Sequence, residues 1–184
     1  DIELLSSQVE RCNEILKRLT LNPVEEDEFI DKDLSMKDYL SEIISSFKEI
    51  SQKKFIFNYD QFSNQKKITK SIEIVYGLRN FIGNANKFSN ETIHVTLKSD
   101  SEITEITIED DGNGYPKDVL SKIGEPYLRT KDPIDKSKAG LGLGLFIGKT
   151  LLEKNFASIN CRNSKTRGGA EVIIKWNNKD LFNI

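Results

Sequence analysis

Three polar residues between positions 77 and 89 fall on one face of a predicted helix. Asn80, Asn84 and Lys87 are spaced at i, i+4 and i+7, which aligns them in a single stripe. An asparagine side-chain oxygen is a hard, neutral ligand that Mg²⁺ accepts, and a lysine ammonium neutralises phosphate charge. The stripe therefore favours a site for a phosphate-bearing anion with its metal ion. For such a helix taken alone, a solvated polar face is the alternative.

A second group of residues follows at Asp110, in the sequence Asp-Asp-Gly-Asn-Gly. Asp110 is in period-two phase with Ile106 and Ile108, so its carboxylate is expected to point inward at the end of a strand. A buried carboxylate is costly unless it meets a donor, and Gly112 and Gly114 leave room for a ligand to approach. The exocyclic amine of adenine is a suitable donor, whereas an ordinary turn is the alternative.

Glycine and leucine alternate from residue 140 to residue 145, directly before another predicted helix. A glycine-rich turn that leads into a helix is a ready anion site, through its free N–H groups and the helix dipole. Gly-Lys-Thr follows at residues 148–150, but position 143, where a P-loop needs its first glycine, is leucine. No strand leads into the turn, so it is neither a P-loop nor a dinucleotide fingerprint. The candidate contacts are Gly140, Leu141, Gly142, Leu143 and Gly144. The cations before them either contact phosphates or are solvated loop charge: Arg129, Lys131, Lys136 and Lys138.

Hydrophobic periodicity predicts the helices and strands that must position these groups. Ser35 and Asp38 resemble a capping box that opens the first of these helices. Residues 61–67 and 115–140 are expected to be irregular. The order of elements predicts a two-layer α/β sandwich, a mixed sheet with helices on one face. The predicted helices span about 37–51, 69–88 and 143–154, and the strands about 55–59, 93–97, 106–108, 156–162 and 170–176.

The N-terminal segment has a different pattern from the rest. Its apolar residues follow a heptad spacing typical of a coiled coil or four-helix bundle, which implies a partner helix; packing on its own domain is the alternative. Asn22 and Pro23 end this helix, and an acidic connector follows. Because the chain starts without Met and inside a helix, we expect a fragment of a longer protein. The heptad residues are Ile2, Leu5, Val9, Cys12, Leu16 and Leu19.

Composition excludes several classes of protein. The 184 residues, 37% hydrophobic and 30% charged, are typical of a globular chain with one domain and an appendage. A net charge of −2 gives no electrostatic basis for binding nucleic acid or an anionic membrane. No apolar run approaches the roughly 20 residues that span a bilayer. Cys12 and Cys161 lack metal-binding spacing, so reduced structural thiols are expected.

The order of the motifs resembles the ATP-binding domain of sensor histidine kinases, in the superfamily shared with gyrase, Hsp90, MutL and anti-sigma kinases. The sequences of these motifs most resemble those of the redox-responsive RegB/PrrB type. NFIGNANKF resembles the N box, DDGNG the G1 box, EPYLRTK the F box and GLGLGLFIGKTLLE the G2 box, with Gly168 and Gly169 as the last glycine element.

The resemblance implies ATP and Mg²⁺ as cofactors. Asn84 would hold Mg²⁺, and Asn80 and Lys87 would lie near the phosphates as the catalytic set with Asn84. Asp110 would contact adenine, and Asp111 is a position that is commonly Asn in relatives. The remaining cofactor-binding residues would be Gly112, Gly114, Tyr127 (where Phe is usual), Thr130, Lys131 and the turn residues 140–144.

The resemblance also implies a division of the chain. Residues 1–21 would be the second helix of a dimerisation and phosphotransfer hairpin, residues 22–34 a linker, and residues 35–184 the catalytic domain. The γ-phosphoryl of ATP would pass to a histidine on the first helix of the hairpin, which is absent. The single histidine, His94, lies mid-strand and is expected to be a surface residue.

The implied partners are a second kinase chain, through the N-terminal helix, and a response regulator. The implied location is the cytoplasmic portion of a membrane-bound sensor kinase, with no nucleic acid and no direct membrane contact. One alternative is an ATP-hydrolysing switch of the Hsp90 or MutL type, although those relatives carry Glu at the position of Asn80 and Asn cannot take a proton from water. An anti-sigma-type kinase or a non-catalytic nucleotide-binding module is the other.

Overall fold

A computed structural model of the chain describes residues 34–60, 67–68, 71–126 and 143–182. The helix predicted for residues 1–21 and the linker up to residue 33 lie outside the described residues. The described chain contains five helices: α1 (Met36–Ile50), α2 (Ile72–Phe88), α3 (Lys117–Leu120), α4 (Gly144–Lys154) and α5 (Asn178–Leu181). Its strands are β1 (Leu34–Ser35), β2 (Lys54–Tyr59), β3 (Lys67–Ile68), β4 (Thr92–Ser99), β5 (Ile103–Asp110), β6 (Ser158–Asn163) and β7 (Ala170–Asn177).

Five strands form the main sheet in the order β2-β4-β5-β7-β6. β2 pairs with β4 in parallel, whereas the other neighbours are antiparallel, so the sheet is mixed as predicted. The register places Asp110 opposite Ile93 at the end of β5. A separate two-stranded pairing joins β1 to β3, which the sequence did not predict because each strand has only two residues.

One face of the sheet carries the core, and the helices cover that face. The inward residues of the three central strands are buried because period two directs them to a single side. The opposite face carries ion pairs, among them Lys175 with Glu105 at 2.6 Å. The fold is therefore the two-layer α/β sandwich expected from the sequence. The buried sheet residues include Ile93, Val95, Leu97, Ile106, Ile108, Val172, Ile174 and Trp176.

The two helices that precede β4 begin at serine caps. Ser35 and Asp38 form the predicted capping box at α1. Ser71 caps α2 by accepting a hydrogen bond from the backbone N–H of Ile74 at 3.2 Å. Apart from shifts at the ends of elements, two segments differ in kind from the sequence prediction. Lys67 belongs to β3 and not to a loop, and the segment after residue 115 contains the short helix α3.

Helices α2 and α4 approach each other closely at two glycines. A methyl group on the Cα of Gly77 would lie 2.5 Å from Cγ of Leu152, and one on Gly148 would lie 3.0 Å from the Phe81 ring. Leu152 and Phe81 are both buried, so neither has room to move aside. Glycine at 77 and 148 therefore sets how near the two helices lie. Within the described residues, the helices are too short or too polar to cross a bilayer.

Gly77→Ala is expected to lower the free energy of unfolding by about 1–3 kcal/mol, because the added methyl overpacks the contact between α2 and α4. Urea unfolding followed by circular dichroism would measure this loss.

Gly83→Ala on the same helix is the matched control. A methyl group there would meet Phe47 at an ordinary 3.4 Å, so the gain in helix propensity should raise stability by about 0.5–1 kcal/mol. Equal losses for the two variants would contradict the packing argument.

Candidate functional site

The N-terminus of α4 lacks the side-chain cap that α1 and α2 have. Its N-cap residue, Leu143, makes no side-chain capping hydrogen bond, and its first turn contains no acidic residue. Helices α1 and α2 differ, since each has a serine cap and an acidic residue in its first turn. The free N–H groups and the helix dipole give the α4 N-terminus a partial positive charge that suits an anion.

Asn80 and Asn84 converge on this same helix end. A methyl group on Gly144 would lie 3.5 Å from Oδ1 of Asn80 and 3.6 Å from both Oδ1 and Nδ2 of Asn84. The Nδ2 of Asn80 donates to the carbonyl of Tyr76 at 2.8 Å, which fixes the amide so that Oδ1 is turned toward Gly144. Two carboxamides and the uncapped helix end therefore share one small region.

This donor set fits a magnesium ion bound together with phosphates. Within the described residues, no group of three or more His, Cys, Asp or Glu side chains could hold a metal ion. Mg²⁺ bound to a nucleotide typically takes few protein ligands and shares the phosphate oxygens and water. The neutral oxygens of Asn80 and Asn84 beside an anion-binding helix end match that pattern.

Asp110 is buried at the end of β5, with 3% of its surface exposed, as its period-two phase predicted. Its Oδ1 accepts backbone hydrogen bonds from Gly112 at 2.8 Å and from Ala170 at 3.1 Å. Burial raises the pKa of this carboxyl above its ordinary value of 3.8, and those two hydrogen bonds only partly offset the effect. Both bonds reach Oδ1, so Oδ2 is the oxygen that remains for a ligand.

Two glycines allow the backbone to close around Asp110. A methyl group on Gly169 would lie 2.1 Å from the Asp110 carbonyl oxygen, and one on Gly112 would lie 2.2 Å from the carbonyl oxygen of Phe88. No side chain fits at either position. The Gly112 contact also joins the Asp110 region to the C-terminal end of α2.

Asp111 has a structural role. Its carboxylate accepts hydrogen bonds from the backbone N–H groups of Asn90, Glu91 and Thr92 at 2.8–3.1 Å. Partial burial on its own would raise the pKa of Asp111, but these hydrogen bonds together lower it below 3.8. Asp111 thus stabilises the turn from α2 into β4, and the neighbouring Asp110 is the carboxylate available to a ligand.

The last turn of α2 carries Lys87 and Phe88. The Nζ of Lys87 lies 5.4 Å from the centre of the Phe88 ring, and that ring is 49% exposed. Since Phe88 also contacts Gly112 through its carbonyl, an accessible aromatic ring stands at the border of the Asp110 region. Phe88 was not identified from the sequence, where it belongs to the ordinary apolar stripe of the helix.

Asn163, at the end of β6, holds the segment that follows Asp110. Its side-chain oxygen accepts from the N–H of Tyr115 at 2.6 Å, and its Nδ2 donates to the Tyr115 carbonyl at 3.0 Å. Gly114 has a positive φ of 71° and packs against the same asparagine. Burial raises the pKa of the free Cys161 thiol, beside Tyr115, to about 11, so this thiol stays protonated.

The predicted site residues thus divide into two neighbouring groups. Asn80, Asn84, Leu143 and Gly144 meet at the α4 N-terminus, whereas Asp110, Gly112 and Gly114 lie at the end of β5, near Gly169. Helix α2 joins the two groups, and Lys87 lies between them in sequence. Tyr127, Thr130, Lys131, Gly140, Leu141 and Gly142 lie outside the described residues, so their predicted contacts stay predictions. His94 is a partly exposed residue on β4.

The fold and this arrangement define a class of ATP-binding domain. Residues 69–180, more than half of the chain, match the family described as histidine kinase-, DNA gyrase B-, and HSP90-like ATPase. The chain belongs to this family.

Individual relatives indicate which type of domain within this family the chain resembles. The sensor histidine kinase RegB of Cereibacter sphaeroides is 30% identical over an alignment of 200 positions. The alignment covers 96% of this chain and 42% of RegB. The sensor histidine kinase CpxA of Escherichia coli is 31% identical over 53% of this chain and 21% of CpxA. These relatives favour a domain of the histidine kinase type over the Hsp90 and MutL type. The chain spans less than half the length of either relative.

The fold is shared with a solved sensor kinase. The mycobacterial sensor histidine kinase MprB superposes with a TM-score of 0.65 at 19% identity, over 77% of this chain and 95% of the MprB chain.

The two adjacent aspartates should affect stability with opposite pH dependence. Because the pKa of Asp110 is raised on folding, the native state binds more protons, and its contribution to stability should fall as pH rises from 3.8 through the raised pKa. Urea unfolding at a series of pH values should therefore show Asp110→Asn gaining stability relative to wild type as pH rises through this window.

Asp111→Asn supplies the opposite sign. The pKa of Asp111 is lowered on folding, so its contribution is present above 3.8 and is lost as pH falls through the lowered pKa. The difference between wild type and Asp111→Asn should therefore shrink in acid. Parallel pH profiles for the two variants would contradict the assignment of the buried acid.

Proposed function

We propose that this chain is the catalytic portion of a sensor histidine kinase, which binds Mg-ATP and passes its γ-phosphoryl to a histidine on a helix outside this sequence. The observation that carries the proposal is the uncapped N-terminus of α4, which lies against Asn80 and Asn84. A buried carboxylate near the far end of the same α2 helix supplies a base-recognition point. The full-length activity is inferred from the kinship with sensor kinases.

Each group has a defined part in binding. Oδ2 of Asp110 would accept the exocyclic amine of adenine, and the exposed Phe88 ring would stack on the base. The N–H groups of α4 and the ammonium of Lys87 would take up phosphate charge. Asn84, with Asn80 beside it, would hold Mg²⁺, whose contribution when bound is to neutralise charge on the phosphates. Asn84 and Phe88 are one helical turn apart, about 6 Å along the axis, so phosphates and base are placed on one rigid element.

The chemistry needs little covalent help from this chain. The lone pair of a neutral imidazole nitrogen forms the N–P bond while the bond from the γ-phosphorus to the bridging oxygen breaks, and ADP leaves with that electron pair. The chain itself contributes by holding the phosphates in line with the attacking nitrogen and by restricting their orientation. Asn80 cannot take a proton from water, which disfavours rapid hydrolysis of the Hsp90 or MutL type.

The wider assignment follows from the same kinship. We place this domain in the cytoplasmic portion of a sensor kinase that dimerises through the heptad residues 2–19 and passes phosphoryl to an aspartate of a response regulator. Residues 1–21, 22–34 and 35–184 would be the hairpin helix, the linker and the catalytic domain. Tyr127, Thr130, Lys131 and the turn 140–142 would complete the nucleotide contacts.

Asp110→Ala is expected to weaken ATP binding about ten- to a hundredfold, because a hydrogen bond to a charged acceptor is lost. Isothermal titration with a non-hydrolysable ATP analogue would measure the loss. Asp118→Ala on the exposed helix α3 is the control and should bind like wild type. Unchanged affinity in Asp110→Ala would mean that Asp110 only shapes the turn.

Phosphoryl transfer should be detectable when the intact dimerisation hairpin of the parent protein is supplied separately. With γ-labelled ATP, we expect acid-labile label on that hairpin, dependent on Mg²⁺ and lost in Asn84→Ala, since one neutral ligand and the alignment of the phosphates are removed together. Asn86→Ala on the same helix is the control, because Asn86 instead accepts a hydrogen bond from Ser51 at 2.6 Å. Bound ATP without any transfer to the hairpin would contradict the kinase assignment.

A further inference from the structure

A buried polar cluster joins α2, α4 and β7 at the end opposite to the Asn80 and Asn84 pair. Asn155, the C-cap of α4, is 8% exposed, and its Oδ1 accepts a hydrogen bond from Oγ of Ser71, the N-cap of α2, at 3.1 Å. Its Nδ2 donates to the Leu151 carbonyl at 3.0 Å, and its own carbonyl accepts from Nε1 of the buried Trp176 at 3.0 Å. One residue therefore connects both helices to the sheet.

The two helices run antiparallel, with the glycine contact in between. Ser71 lies at the start of α2 and Asn155 at the end of α4, while Asn84 and Gly144 meet at the other ends. Ser71 is six residues before Gly77, about 9 Å along the axis, and Asn84 is seven residues after it, about 10 Å. With the contact at Gly77 and Gly148 as the pivot, a shift at the Asn155 end produces a shift of similar size at Asn84.

We propose that Asn155 is a positioning residue for the phosphate subsite: its hydrogen bond to Ser71 sets the crossing of α2 and α4, and thereby the distance from Asn84 to the N-terminus of α4. This inference rests on the proposed function, which places the phosphates at that helix end. The adenine subsite should be independent of Asn155, because the end of α2 at Phe88 is held against Gly112, and Asp110 is fixed by β5, Gly112 and Ala170. This leaves α4 as the helix that shifts.

The experiment compares two ligands that use the two subsites differently. Adenosine tests the Asp110 subsite alone, whereas a non-hydrolysable ATP analogue with Mg²⁺ tests both. In Asn155→Ala we expect about a tenfold loss of affinity for the magnesium–ATP analogue, from weakened charge-assisted contacts, with adenosine affinity unchanged. A matching loss should appear in the enhancement of analogue binding by Mg²⁺, which a purely structural role would not alter.

The chain offers a closely matched control in Asn178. It is 5% exposed, its Oδ1 accepts from Thr104 at 2.7 Å, and its Nδ2 donates to the Asp100 carbonyl at 2.8 Å. Asn178→Ala removes the same number of side-chain hydrogen bonds from a similarly buried amide that does not join α2 to α4. It should lower the free energy of unfolding like Asn155→Ala but leave the preference for the magnesium–ATP analogue over adenosine unchanged.

A milder pair of variants covers the case in which Asn155→Ala does not fold. Ser71→Ala removes the partner of Asn155 and should reproduce the selective loss, and Ser71→Thr, which keeps the hydroxyl, should restore wild-type binding. Ser35→Ala removes an equivalent cap from α1 and should not affect binding.

Two results would overturn the proposal in distinguishable ways. Equal losses for adenosine and for the magnesium–ATP analogue, or no loss beyond that of Asn178→Ala, would refute the positioning role of Asn155 alone. A wild-type chain that binds the magnesium–ATP analogue no better than adenosine would refute the proposed phosphate subsite, and the positioning role with it.

Discussion

The close contact between α2 and α4 is the constraint on which the site depends. Side chains at positions 77 and 148 would hold the two helices apart, and the amides of Asn80 and Asn84 would then lose their place beside Gly144. The buried Leu152 and Phe81 fill the space that remains and keep the separation fixed. A site made of two neutral amides and a helix end has no strong ligand of its own, so its geometry must come from packing.

The two halves of the site offer different polar groups to a ligand: backbone donors at a helix end, and a buried carboxylate. At α4, the helix terminus has no side-chain cap from its N-cap residue Leu143, and the carboxamides beside it add no charge. At β5, a carboxylate is buried against only two N–H donors. Within the part of the chain that the structure describes, both arrangements offer hydrogen-bonding capacity that a ligand can use. Helices α1 and α2, by contrast, each have a serine cap and an acidic residue in the first turn.

Much of this could be predicted from the sequence, because the relevant signals are local. Period two placed Asp110 inward, and the i, i+4 spacing placed Asn80 and Asn84 together on one helix face. The alternation of glycine and leucine marked the start of α4 to within one residue, and the Ser35 capping box marked α1. In each case the residues that decide the geometry are neighbours in the chain.

The features that sequence analysis missed depend on contacts between distant segments. Two hydrogen bonds join Asn163 to Tyr115, which lies 48 positions away in the chain. Another joins Ser71 to Asn155, 84 positions away. Asparagines at strand and helix ends have many possible partners, so their type and position do not identify one. The pairing of β1 with β3 likewise has too few residues to produce a pattern. Phe88 fits the apolar stripe of α2, and only the fold reveals that its ring is accessible.

The raised pKa of Asp110 has a consequence for the energetics of ligand capture. In the pH range around its raised pKa, this carboxyl releases its proton when an amine donor binds, because hydrogen bonding to the charged form favours ionisation. Binding of a base at this site is then coupled to proton release into the surrounding buffer. The heat observed on binding in that pH range would consequently include the ionisation enthalpy of whichever buffer takes up the proton.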